Sequence, residues 1–293
     1  MKIVLTGSLG HISKPLAEKL LSQGHNVTII SSAENKRGQI EKLGATSAIG
    51  SVSDAAFLTQ TFTGADAVYC MLPPNFAEQD QIAYYKKLAA AYTLAIKAAN
   101  VKRVVHLSSY GAHLSSGTGF ILGSHESEKI FNTLTGVALT HIRPGYFYYN
   151  LLNFIPMIKQ GNIIAANYGG EDRVPMVAPE DIAIAVAEEI TAMPESTTIR
   201  YVASNDLSCN EAAAIIGKAI EKPQLQWITI SNEEMQQGME SNGIPTKIAA
   251  LFTELGAATH SGILREDYDK NQPLLGNIKL RDFAKKFAAA YNK

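Results

Sequence analysis

The chain has 293 residues, 46% of them apolar, with 26 basic and 27 acidic side chains and a formal net charge of −1. That length supports a large core, or one domain with a smaller companion, and the even charge excludes the basic footprint expected for nucleic acid or an anionic membrane surface. The apolar residues fall in short runs too brief to span a bilayer, so the expected partners are small molecules.

Met1-Lys-Ile-Val-Leu-Thr-Gly-Ser-Leu-Gly-His-Ile-Ser13 reads as a buried strand running straight into a glycine turn, which opens a helix at Lys14 to Leu21. This is the layout of a dinucleotide site. Gly7 permits the tight turn, Gly10 lets the backbone approach a pyrophosphate, and a helix N-terminus favours the anion through its unpaired N–H groups and macrodipole. Thr6, Gly7, Gly10, His11 and Ile12 are therefore expected to line the cofactor, His11 more through its backbone than its ring. Ser13 stands where a G-x-x-G-x-x-G pattern has its third glycine. Because the chain enters this strand at once, with no basic segment, signal core or cleavage site, a cytoplasmic protein is expected.

Further strands are predicted near 26–31, 46–49, 66–71, 103–108 and 138–142, separated by helical patterns near 14–23, 34–43, 54–62, 80–99 and 124–134. Strict alternation of nearly continuous apolar strands with helices predicts an α/β fold, a doubly wound parallel sheet with both faces covered. The second strand ends Ile30-Ser31-Ser32 rather than in an acid, and Arg37 follows, so a 2′-phosphate is welcome and NADPH is expected over NAD. Glu34 turning inward, with Arg37 facing solvent, is the competing reading. The fourth strand ends Cys70-Met71-Leu72-Pro73-Pro74, whose prolines set an extended edge suited to lying along the ribose and nicotinamide. Cys70 reads as a small buried hydrophobe, and nothing resembles a metal site.

After Arg143-Pro144 the pattern loosens. A helix is predicted near 150–160, a hairpin around Asn167 to Gly170, a helix from Glu180 to Met193, and a strand Ile199 to Ala203 returning to the main sheet. Ser208-x-x-Glu211 and Ser231-x-x-Glu234 read as capping boxes, so those serines are caps and not nucleophiles. Residues 265–273 read as a mobile polar loop, and a surface helix closes the chain near Leu280 to Tyr291. The expected division is a nucleotide-binding domain over residues 1–152, to which about 177–203 return, and a smaller, mostly helical substrate region over 153–293.

Four segments carry a family likeness. Ser108-Ser-Tyr-Gly-Ala112, Thr140-His-Ile-Arg-Pro-Gly-Tyr-Phe-Tyr-Tyr-Asn150, Val177-Ala-Pro-Glu-Asp-Ile-Ala183 and Tyr201 to Glu211 occur in the order seen in the NmrA-like branch of the short-chain dehydrogenases/reductases, which the chain resembles over residues 1 to about 222. That resemblance implies NAD(P) binding, in a group that includes quinone and azo-type reductases as well as regulators that bind the dinucleotide without turnover. The aspartate that the family commonly sets against adenine is Ser51 here. The wider superfamily's Tyr-x-x-x-Lys pair becomes His125-x-x-x-Lys129. With a pKa near 6.5, histidine can protonate a carbonyl or quinone oxygen, while Lys129 would hold the nicotinamide ribose.

The expected catalytic set is thus His125, Lys129, Ser108 and Tyr110, with strand register deciding which of Ser108, Ser109 and Tyr110 faces the nicotinamide. The cofactor set is Thr6, Gly7, Gly10, His11, Ile12, Ser31, Ser32, Arg37, Met71, Leu72, Pro73, Lys129 and Pro144. Tyr146, Phe147, Tyr148, Tyr149 and Phe154 suit a flat apolar acceptor, or equally a core. His106 and His141, inside strands, read as hydrogen-bonded core residues. The leading expectation is an NADPH-dependent reductase of quinone-like or conjugated carbonyl compounds; the alternative is a non-catalytic redox sensor. Nucleotide-sugar epimerisation is disfavoured by the missing tyrosine, and a homodimer or a regulatory protein partner is left open.

Overall fold

A computed structural model describes residues 1–194 and 196–293. Ile3, Val4 and Leu5, all fully buried, form β1 (Lys2–Leu5), and the glycine turn leads into α1 (Ser13–Ser22). The alternation continues through β2 (Asn26–Ser31), α2 (Arg37–Lys42), β3 (Thr46–Ile49), α3 (Ala55–Phe62), β4 (Ala67–Cys70), α4 (Gln81–Ala98), β5 (Arg103–Leu107), α5 (Ile121–Phe131) and β6 (Ala138–Pro144). Beyond it lie β7 (Tyr146–Phe147), α6 (Ile155–Gly161), β8 (Ile163–Ala166), β9 (Arg173–Val177), α7 (Pro179–Thr191) and β10 (Thr198–Val202). The chain ends with β11 (Asn205–Ser208), α8 (Cys209–Ala219), β12 (Gln226–Thr229), α9 (Asn232–Ser241), α10 (Thr246–His260), α11 (Arg265–Lys270) and α12 (Leu280–Tyr291).

The main sheet has seven strands in the order β10-β6-β5-β4-β1-β2-β3, and β1 pairs in parallel with both β2 and β4. This is the doubly wound Rossmann arrangement. Strand order reverses beside β1, where open α/β sheets bind ligands at the strand carboxyl ends, and the glycine turn stands at that point. One sheet face, carrying Val4, Val68, Cys70 and Val104, packs with Leu58, Phe62, Leu88, Tyr92 and Phe131 of α3, α4 and α5. Ile3 and Leu5 point to the other face by strand alternation and are equally buried, which is why the strands read as unbroken apolar runs.

Two compact units divide the chain: Met1–Ser109, Gly123–Arg143 and Ile182–Arg200 form one, and Tyr110–Leu122, Pro144–Asp181 and Tyr201–Lys293 the other. The second unit holds two small sheets, β11-β9-β7 and β12-β8, together with the C-terminal helices. Its core gathers Tyr148, Trp227, Met176, Phe283 and Phe287, with the Trp227 indole donating to the Tyr168 carbonyl at 2.9 Å. Ser208 and Ser231 are the capping-box residues of α8 and α9, each accepting from the backbone N–H three residues on.

Three expectations are revised by the fold. Residues Asn167 to Gly170 do not make a hairpin, because β8 pairs in parallel with β12 while β9 pairs with β11 and β7. Gly169 instead admits the Trp227 ring, which would lie 2.8 Å from a Cβ at that position. The polar stretch after Leu264 is not a loop over its first turns but α11, anchored by buried Leu264 and Tyr268 at i, i+4 spacing. Arg265 adds a charge-assisted fork to Asp206, with both contacts at 2.9 Å. The predicted helix near 150–160 is a 3₁₀ stretch, Tyr148–Phe154, running into α6.

Asp181, the acid of the Val177-to-Ala183 segment, is a buried tether within the second unit. It accepts from the Ser204 hydroxyl at 2.6 Å and from the backbone N–H of Ile278 at 3.1 Å. A Cβ at Gly276 would overlap its carboxylate, so only glycine lets the chain pass this closely.

Candidate functional site

The glycine turn is built inward from Thr6. The Thr6 hydroxyl lies 3.1 Å from the Tyr69 carbonyl and accepts from the Met71 N–H at 2.8 Å, stitching the end of β1 to the end of β4. Its side chain is fully buried in this role and shapes the turn. Gly7 turns the chain at φ +92°, and a Cβ there would come within 2.4 Å of Ser13 Oγ and 2.7 Å of Met71 Cε. Ser13 thus occupies the inside of the turn and donates to the Thr6 carbonyl at 2.8 Å, which accounts for a serine at the third glycine position.

Gly10 differs. A Cβ on it would meet only the Gly7 carbonyl oxygen, at 3.0 Å, and the residue is solvent-exposed. Ile12, buried, precedes α1 without any side chain capping the helix, and no acid stands in its first turn. Pro15 sits in that first turn, where a missing N–H costs nothing. The residues therefore fit a diphosphate: a backbone open at Gly10, and an uncapped positive helix end not neutralised by its own sequence. His11 is exposed beside it.

Around β2, Ser31 is buried and its hydroxyl receives that of Ser8 at 2.9 Å, while Ser32 is exposed. Arg37 is exposed but engaged: its Nε and Nη2 donate to Glu34 at 2.6 and 3.1 Å, and its Nη1 reaches Ser47 at 3.3 Å. The hydrogen bond from Arg37 holds the Glu34 carboxyl below its usual range. A 2′-phosphate would thus compete with Glu34 for the guanidinium, in an exposed pair that solvent screens. After β4, Met71 lies over Gly7, Leu72 is packed in the core, and Pro73 is half-buried. Ser51 turns onto Ser53, with their hydroxyls 2.8 Å apart.

On α5 the predicted pair separates. His125 is largely covered, 17% exposed, with Nε2 at 4.0 Å from Glu126. Lys129 is 61% exposed and donates to the same Glu126 at 2.9 Å, and Lys86 of α4 approaches that carboxylate at 3.4 Å. Lys129 therefore stands on a solvated face as one member of a cation pair around Glu126.

Sequence reasoning missed what lies between them. Glu128 is buried and receives three donors: the Ser108 hydroxyl, Arg143 Nε at 2.9 Å and Arg143 Nη2 at 2.6 Å. Ser108, a member of the expected catalytic set, meets a physical obstacle as a donor to substrate, because its single hydrogen is spent on Glu128 and only lone pairs remain for a ligand. The fork to Arg143 is the geometry that makes a buried carboxylate tolerable, and removing either partner costs about 3–5 kcal/mol. The Arg-Pro of the Thr140-to-Asn150 segment was the available signal: an arginine inside an apolar strand has to find a buried anion.

Tyr110 and Pro144 belong to the second unit. The Tyr110 phenol is buried, packs edge-on to Tyr268 at 6.1 Å, and burial pushes its pKa far up, so it is a poor proton source. The aromatic run divides: Tyr148 is core and donates to Asn205 at 2.6 Å, and Phe154 packs on Trp227 at 5.1 Å. Phe147 and Tyr149, 5.2 Å apart, stay partly exposed. Among the described residues no group of His, Cys, Asp and Glu is placed to hold a metal ion, and no helix is long and apolar enough to cross a membrane.

A family model described as the NmrA-like family matches residues 1–263. The chain belongs to the NmrA-like family. This NmrA-like protein is 28% identical over 262 residues to an NAD(P)H azoreductase of Xenophilus azovorans, an alignment covering 87% of each chain. Its fold matches the solved structure of the Escherichia coli NADPH-dependent quinone oxidoreductase QOR2 in complex with NADPH, with a TM-score of 0.82, 20% identity, and coverage of 97% and 99% of the two chains. It also matches the Citrobacter sp. triphenylmethane reductase complexed with NADP(H), with a TM-score of 0.80, 20% identity, and coverage of 98% and 99%.

Proposed function

We propose that this NmrA-like protein is an NADPH-dependent reductase of flat, conjugated small molecules such as quinones or azo dyes. The observation that carries the reading is the turn itself: Gly10 open to solvent before an uncapped α1, at the carboxyl end of β1 where the strand order reverses. The relatives named above, reductases that use NAD(P)H or were solved with it, support the same reading.

Bound NADPH would supply the hydride. The backbone from Gly7 to Ile12 and the α1 terminus would hold the diphosphate, with Ser31, Ser32 and Arg37 toward the 2′-phosphate and Met71 to Pro73 along the ribose and nicotinamide. Reduction of a quinone oxygen also needs a proton, and His125 is assigned to hold it because it is an imidazole largely sheltered from solvent. Lys129 would reach the ribose only by leaving Glu126. Phe147 and Tyr149, partly exposed aromatics of the second unit, suit a flat acceptor.

Turnover decides the reading. Purified protein should oxidise NADPH faster than buffer with at least one member of a panel of quinones, azo dyes and enones. His125→Ala should keep NADPH affinity while kcat falls by about a hundredfold, as expected for loss of a general acid. Bound but unoxidised NADPH across the panel would remove the reductase assignment.

Cofactor choice has its own test. Arg37→Ala should weaken NADPH, but not NADH, by about ten- to a hundredfold, the loss expected for a charge-assisted fork. Glu34→Gln should tighten NADPH by freeing the same guanidinium. Unchanged NADPH affinity in both variants would remove Arg37 from the 2′-phosphate site.

The solvated Lys129–Glu126 pair favours one second reading, a dinucleotide sensor without turnover. A sensor must bind NADP+ and NADPH with different affinities, because equal affinity shifts no equilibrium.

A further inference from the structure

We propose that Glu128, gripped by Arg143, is a positioning residue for His125: it sets the rotation of α5 against the sheet and so the place of the imidazole. The proposal rests on the assignment of His125 made above. One carboxylate ties three elements together, since Ser108 directly follows β5, Arg143 lies in β6 and Glu128 is on α5. All three residues are buried and lie within the first unit.

Helix geometry makes this tie directional. Residues three apart on a helix lie on neighbouring stripes of its surface, so fixing Glu128 toward the strand ends constrains where His125 points. A second restraint sits just ahead of the histidine. A Cβ at Gly123 would come within 2.9 Å of the Tyr85 ring, so α5 approaches α4 there as closely as a glycine allows. His125 is thereby bracketed, two residues after one close contact and three before the other. Lys129, 61% exposed, is paired instead with Glu126 at the helix surface. An arginine serves this purpose better than a lysine, because two parallel N–H bonds fix the carboxylate plane whereas an ammonium fixes only a distance.

The test uses the full chain and two variants. Arg143→Lys keeps a positive charge beside Glu128 while removing the fork, and Glu128→Gln keeps the shape while removing the charge. Should the glutamine variant fail to fold, the lysine variant carries the test alone. Three quantities are measured: NADPH affinity by fluorescence, kcat and KM for a naphthoquinone, and the His125 imidazole resonances by NMR, assigned by their absence in His125→Ala. The expected result is NADPH affinity within about threefold of wild type, an unchanged KM, and a kcat lower by about ten- to a hundredfold, the loss expected when a reacting group is misplaced by an ångström or less. The His125 resonances should shift with or without turnover.

Unshifted His125 resonances in the folded lysine variant would overturn the proposal, as would an unchanged kcat. Loss of NADPH affinity equal to the loss of kcat would overturn it too, by showing that the pair merely supports the cofactor site. The reading it rests on fails separately: His125→Ala would then retain full turnover.

Discussion

Gly10→Ala should abolish productive NADPH binding while leaving the protein folded. The added methyl meets only the Gly7 carbonyl within the protein, and Gly10 is not held at positive φ, so alanine is allowed there. The 3.0 Å approach to the Gly7 carbonyl oxygen is tight and the turn must give by a few tenths of an ångström, so stability should fall by about 1 kcal/mol with the fold kept. The same methyl stands where the backbone must approach a diphosphate, and affinity should fall by about a hundredfold or more. Gly7→Ala is the contrast. At φ +92°, with overlaps onto Ser13 and Met71, it strains the turn and should cost about 1–3 kcal/mol of stability as well as affinity. Urea unfolding and NADPH titration on both variants separate the two roles. An alanine at position 10 that binds NADPH normally would move the dinucleotide away from this turn.

The second large effect is on stability in acid. His106 and His141 face each other on β5 and β6 with their Nδ1 atoms 2.9 Å apart, and His141 Nε2 lies 3.0 Å from the Asn132 side-chain oxygen. With that oxygen accepting, His141 is the Nε2–H tautomer, and its Nδ1 accepts from the Nδ1–H of His106. A proton added to His141 Nδ1 would therefore set two N–H groups head to head. Burial is the main cause that holds both imidazoles neutral: His106 lies far below the usual histidine range, and His141 is brought down to about 4.

Below the ordinary histidine pKa of about 6.5 the unfolded chain takes up protons that the folded chain refuses. Stability is therefore full above that pH and is lost as pH falls toward the folded value. For His141 the interval corresponds to about 3 kcal/mol, with His106 adding in the same direction. Urea unfolding from neutral pH down to pH about 4 should show this loss, and His141→Gln should flatten the acid limb. An equal pH slope in the variant would show that His141 is not its source.

Much of the fold was legible because its signals are local. The run Ile3 to Leu5, the turn at Gly7 and Gly10, and the capping boxes at Ser208 and Ser231 each need only a few neighbouring residues to be understood. The buried histidines were legible from their place inside apolar strands. What stayed hidden depends on contacts far apart in sequence. Glu128 and Arg143 are 15 residues apart, and Ser108 and Glu128 are 20 apart, so only the completed sheet brings them together. Between Ser127 and Lys129, Glu128 reads as one more polar residue of a surface helix. Helix α11 escaped for the reverse reason, since its charged residues mask the two anchors, Leu264 and Tyr268, that bury it. The Glu34–Arg37 pair was visible in its i, i+3 spacing, but which way the arginine turns is decided by weak surface energetics that spacing does not reveal.

A single-turnover experiment tests the central claim most directly. Protein saturated with NADPH is mixed with excess naphthoquinone, and the reduced-nicotinamide absorbance is followed, with NADPH deuterated at the transferred position as the comparison. The reductase account predicts a decay that scales with protein concentration, slows on deuteration and disappears in Gly10→Ala. Decay at the buffer rate from a demonstrably NADPH-loaded protein, repeated with an azo dye and an enone, would contradict it.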